Sequence, residues 1–83
     1  MAFKVIYKSS VHHDLKHLDK DVAGRILREI EVKLSKDSRA GEALKGEFRG
    51  LYKLRVGDYR VIYTEAGDVV IVLRIRHRGK AYS

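Results

Sequence analysis

The chain has 83 residues, no cysteine, 45% apolar residues and a formal net charge of +7. This bounds a single domain over residues 1–83 with an ordinary globular composition, and it excludes a disulfide framework or a thiolate metal site. No apolar run is long enough to span a membrane, and the start MAFKVIYKSS lacks the apolar core of a secretion signal, so the expected location is cytoplasmic.

The first element is FKVIYK, Phe3 to Lys8, where apolar and polar residues alternate as in a strand. SSVHHDLKHLD follows, with Ser9 or Ser10 as cap and Val11, Leu15 and Leu18 at helical spacing. A second helix is expected from the cap Asp19, its stripe running through Val22, Ile26, Ile30 and Leu34. That stripe reads as core. Gly24 within it suggests a close helix contact. SRAGEALKGEFRG shows no clear period and reads as mostly loop. Three strands then complete the chain: LYKLRV, YRVIYT after the turn Gly57-Asp58, and VVIVLRIR from Val69. The order β-α-α-β-β-β predicts an α+β fold in which an antiparallel sheet carries both helices on one face. Phe3 to Lys8 is expected to join that sheet, with the edge beside the final strand as a guess.

A two-residue Gly57-Asp58 turn sets Arg55 opposite Arg60 and Leu54 opposite Val61. Directly paired side chains share a face, and like charges there repel. For the next turn a three-residue loop, Ala66-Gly67-Asp68, keeps Arg60 off the apolar face and predicts Arg74 as its partner. That register predicts Val69, Ile71, Leu73 and Ile75 on the core side. It gathers Lys53, Arg55, Arg60, Arg74 and Arg76 on the face away from the helices, with His77 to Tyr82 leaving beside them. The repulsion between two unit charges about 5 Å apart is near 1 kcal/mol in water, so convergence from three strands suggests a polyanion. A solvated basic face is the plain alternative.

No phosphate loop, metal site or serine or cysteine triad is visible, and no cofactor is implied. His13 and His17 are four apart but lack a third ligand, so His12, His13 and His17 read as surface histidines. RNA cleavage needs a base for the 2′-OH, cations around the phosphorane and an acid for the leaving oxygen. His77 titrates nearest neutrality, and Lys53 is a candidate base. Arg60 and Arg78 suit a phosphate clamp, and Tyr82 suits base stacking. Arg55, Arg74, Arg76 and Lys80 are expected to hold phosphates.

Three blocks, DLKHLDKDVAGRILREI, LKGEFRGLYKLRVGDYRVIY and VLRIRHRGKAY, resemble the RelE/ParE superfamily of toxins from type II toxin–antitoxin systems. The resemblance implies a RelE-like fold similar to small microbial ribonucleases. Its RelE branch implies an mRNA interferase that cuts ribosome-bound message in the A site. Its basic sites match Lys53, Arg55, Arg60 and Arg78, and its C-terminal aromatic matches Tyr82. Arg55 stands where some relatives have Lys, and His77 has a counterpart in some branches only. The ParE branch implies instead a non-enzymatic inhibitor of DNA gyrase, and an inactive antitoxin-binding relative is a third reading. Every branch implies a cognate antitoxin as partner. The ribosome and mRNA belong to the RelE reading. Operator DNA is expected only through the antitoxin complex, and no membrane is involved. The toxin alone is expected to be a monomer, and a heterotetramer forms with the antitoxin.

Overall fold

The computed structural model describes residues 3–77. Strand β1 spans Lys4–Tyr7, helix α1 Ser9–Lys16, helix α2 Lys20–Leu34 and the short strand β2 Glu42–Ala43. A 3₁₀ turn at Gly46–Phe48 leads into β3 (Tyr52–Val56), β4 (Tyr59–Ala66) and β5 (Val69–His77). The sheet has five strands in the order β1-β5-β4-β3-β2. It is mixed: β1 runs parallel to β5, and the other neighbours are antiparallel. The antiparallel sheet expected from the sequence therefore gains one parallel edge and, within the segment read as loop, the additional strand β2. Among the described residues no helix is long and apolar enough to cross a membrane.

The core lies between α2 and one face of the sheet. Ile26, Ile30 and Leu34 of α2 and Val11 of α1 are buried against Leu54, Val56, Val61, Tyr63, Val70, Val72 and Ile75. The helical stripe and the period-two alternation of β3 and β4 meet there, as their spacing requires. Two local expectations are corrected. Helix α1 begins at Ser9 itself, with Lys8 in the extended cap position, and no side chain caps it. A Cβ built on Gly24 would meet nothing within 4 Å, so this glycine does not mark a close helix contact.

Both hairpins close through Gly-Asp pairs, with Gly57 at φ 58° and Gly67 at φ 64°. A positive φ at the first central residue is what a two-residue II′ turn requires. Val56 pairs with Tyr59, and Ala66 pairs with Val69. The second turn is thus one residue shorter than expected. A bulge compensates: Tyr63 pairs with Val72 but Ile62 pairs with Arg74, leaving Leu73 as the extra residue. Before the bulge Val70 and Val72 face the core, where Val69, Ile71 and Leu73 had been predicted. After it Ile75 faces the core as predicted.

Candidate nucleic-acid interface

Past the bulge, three arginines come into line. Arg55 of β3 is paired with Arg60 of β4, and Arg60 with Arg76 of β5. Arg60 therefore faces Arg76 and not Arg74, because the bulge moves the β5 register by one. Directly paired Cβ atoms lie roughly 4.5–5.5 Å apart, so this row places three guanidinium stems side by side across the sheet. The next row on the same face is Lys53, Ile62 and Arg74. Alternation separates this face from the buried Leu54, Val61 and Ile75.

Each basic side chain has its own surroundings. Arg55 is exposed, while Arg60 and Arg76 are half-buried. The Lys53 ammonium lies 3.4 Å from Oε1 of Glu42, which β2 sets directly opposite it. The Lys53 side chain is only 20% exposed, so its position is set by the sheet more than by solvent. Arg74 is engaged by helix α1 at the edge of the sheet. Its Nε and Nη2 donate to Oδ2 and Oδ1 of Asp14 at 3.0 and 2.9 Å. Arg74, expected to hold phosphate, thus makes a bidentate pair with α1 while its side chain remains 43% exposed. Such fork-to-carboxylate geometry is the strong form of a charged hydrogen bond.

His77 is placed elsewhere. It pairs with Tyr59, so its side chain lies on the face opposite Arg60 and Arg76. The two rings meet edge to face with centroids 5.3 Å apart. There His77 lines a hollow of about 550 Å³ together with Asp14, His17, Leu18, Tyr59 and its own strand neighbours Ile75 and Arg76. The grouping of His77 with Lys53 and Arg60 is corrected on this point: His77 follows Arg76 directly, and the alternation of adjacent strand residues turns its side chain over. His12, His13 and His17 are exposed, as the sequence suggests, with the His13 and His17 rings 4.9 Å apart. Arg78, Lys80 and Tyr82, the remaining expected site residues, lie outside the described residues.

Sequence reasoning missed Glu42 and Asp14, which among the described residues engage Lys53 and Arg74. Glu42 sits in a two-residue strand too short to show a period. Asp14 lies on α1 four residues after Ser10, but both bond to β5 and not to each other, so nothing local in the sequence marks it.

A family model described as the ParE toxin of the type II toxin–antitoxin system parDE matches residues 5–82. The chain belongs to this family, within the RelE/ParE superfamily of toxins of type II toxin–antitoxin systems. The protein named Toxin RelE3 of Methanocaldococcus jannaschii is 31% identical over 84 residues, covering 95% of this chain and 94% of that one. Among solved structures, the toxin–antitoxin complex RelBE2 of Mycobacterium tuberculosis superposes with a TM-score of 0.88 at 25% identity. That match covers 96% of this chain and 95% of the other. The archaeal RelE–RelB complex of Pyrococcus horikoshii gives 0.70 at 30% identity, over 98% and 100% of the two chains.

Proposed function

We propose that this toxin is a ribosome-dependent endoribonuclease that cleaves mRNA in the A site and so arrests translation. The observation that carries the reading is the row Arg55–Arg60–Arg76 with Lys53 in the adjacent row, all on the face opposite the one that packs on α2. A phosphate diester entering that face meets guanidiniums able to bind two oxygens at once and to stabilise charge gathering on phosphorus. The 2′-oxygen of the upstream nucleotide attacks phosphorus, its proton passes to a base, and the 5′-oxygen leaves with a proton, giving a 2′,3′-cyclic phosphate. Of the two titratable candidates Lys53 and His77, Lys53 shares the face of the row; as the ammonium partner of Glu42 it gives its proton to the leaving 5′-oxygen, and solvent water takes the 2′-OH proton. No metal or organic cofactor has a part in this scheme. The similarity to Toxin RelE3 supports the RelE branch.

The partner in this reading is a cognate antitoxin, as in the RelBE2 and RelE–RelB complexes. Its contacting segment is expected to carry acids for the basic face. Storage as a heterotetramer, operator binding through the antitoxin and action in the cytoplasm follow from the same reading.

The ParE description of the matching family model favours a second reading, a toxin that inhibits DNA gyrase without cutting anything. Primer extension on a reporter message after brief induction separates the two. The nuclease gives cuts within codons that vanish when translation of the reporter is blocked, and Arg60→Ala loses them by at least about tenfold. Intact message together with inhibited supercoiling supports the gyrase reading and overturns the first.

A further inference from the structure

Strand β1 covers the outer edge of β5 only as far as Val72, where the Lys8 N–H donates to the Val72 carbonyl. Beyond that point α1 takes over the edge. The Ser10 hydroxyl donates to the Leu73 carbonyl at 2.6 Å, and Asp14 Oδ2 accepts the Ile75 N–H at 2.9 Å. Four residues of helix rise about 6 Å, and two residues of strand about 6.6 Å, so Ser10 and Asp14 match the spacing of one ladder repeat. The Asp14 side chain is 9% exposed and accepts three hydrogen bonds in all, two of them from Arg74.

By register Arg74 belongs to the basic face, across Ile62 from Lys53. We propose that Asp14 is a charge-masking residue: it holds the Arg74 guanidinium off the phosphate-binding face and so limits the number of cations offered to a polyanion. The site then works with Lys53, Arg55, Arg60 and Arg76 in its described part. One carboxylate both secures the strand that presents Arg76 and removes a neighbouring cation. The inference rests on the reading of this face as a phosphate-binding surface.

The test is the salt dependence of binding to a 2′-O-methylated single-stranded RNA of about twelve nucleotides, followed by fluorescence anisotropy. Each cation engaged on single-stranded RNA adds about 0.7 to the slope of log affinity against log salt. Asp14→Asn keeps an oxygen for the Ile75 N–H but loses the charge that holds Arg74. It is expected to bind more tightly at low salt and to lose about threefold more affinity than wild type between roughly 50 and 200 mM salt. Arg74→Ala in the wild-type background is expected to leave the slope unchanged, and Asp14→Asn/Arg74→Ala to return it to the wild-type value. Asp21→Asn, at an exposed acid of α2, controls for net charge alone. An unchanged slope in folded Asp14→Asn, or a slope as steep in Asp21→Asn, overturns the proposal. If Asp14→Asn fails to fold, the Arg74→Ala arm decides: a slope lower by about 0.7 means that Arg74 already engages phosphate and overturns it. Wild-type protein with no salt-dependent RNA binding overturns the phosphate-face reading itself, an outcome distinct from the others.

Discussion

Ser38 is buried and donates its hydroxyl to the Glu65 carboxylate, which also lies 3.5 Å from Arg39 Nε and accepts a long hydrogen bond from the Tyr52 hydroxyl. The Ser38 bond, with help from Arg39 and against partial burial, holds the Glu65 carboxyl below its ordinary value of 4.5. The folded state therefore binds fewer protons at this group than the unfolded chain does. The stabilisation is complete above about pH 4.5 and is lost as the pH falls through the lowered folded value. Urea midpoints taken at about pH 7 and pH 3 should fall further for wild type than for Glu65→Gln. Equal falls in the two proteins would remove Glu65 from the acid response. Tyr7 shows the opposite direction. Burial and its 2.8 Å bond to Glu31 push the phenol well above its ordinary range, so it stays protonated through neutral pH.

At the scale of elements, the join between β2 and β3 depends on Gly41. A Cβ there would stand 2.5 Å from the Lys53 carbonyl oxygen and 2.8 Å from the Tyr63 hydroxyl. The Gly41 N–H donates to that same hydroxyl at 2.9 Å, and the Tyr63 ring stacks on Tyr52 with centroids 5.3 Å apart. Gly41→Ala must push backbone against backbone, a cost of about 1–3 kcal/mol. It should lower the urea midpoint with little change in the slope of the transition. The elements themselves were legible to different degrees. The Gly57-Asp58 turn and the alternation on either side of it give the β3–β4 register directly, and Arg55 does pair with Arg60. The bulge was not legible, because VVIVL is apolar at every position and hides its own parity. Only the need to keep Arg60 off the core reveals that an odd shift occurs somewhere, and it falls at Leu73 instead of in the turn. β2 was missed because two residues carry no period. Asp14 was missed because its partners, Arg74 and the Ile75 N–H, lie 60 and 61 residues away in sequence.

For the whole molecule, the core and the basic face occupy opposite sides of one sheet. If the basic face is the site, as proposed, this separates stability from function. Domains of this size hold only about 0.05–0.15 kcal/mol per residue, so one core truncation is a large fraction of the total. Ile30 is fully buried beneath the sheet, and Ile30→Ala should cost about 2–5 kcal/mol. A thermal melt is expected to shift down by about 10 °C or more. Arg60→Ala, on the far side, should melt near wild type while losing message cleavage. A variant set in which the two losses always moved together would contradict that separation. Net charge was plain from composition, but its concentration on one side became visible only once strand register was assigned.

The extra residue at Leu73 also decides what length variation the last strand tolerates. Deleting Leu73 would leave every existing pair in step, whereas flattening the bulge with Leu73 retained would slide all that follows by one residue and invert its orientation. In the flattened ladder Ile75 would face Arg60 in the arginine row, and Arg76 would stand opposite Tyr59 on the core side. The bulge thus sets the parity of this edge of the protein: a one-residue loss at Leu73 keeps the ladder in step, and a one-residue loss between Arg74 and His77 does not.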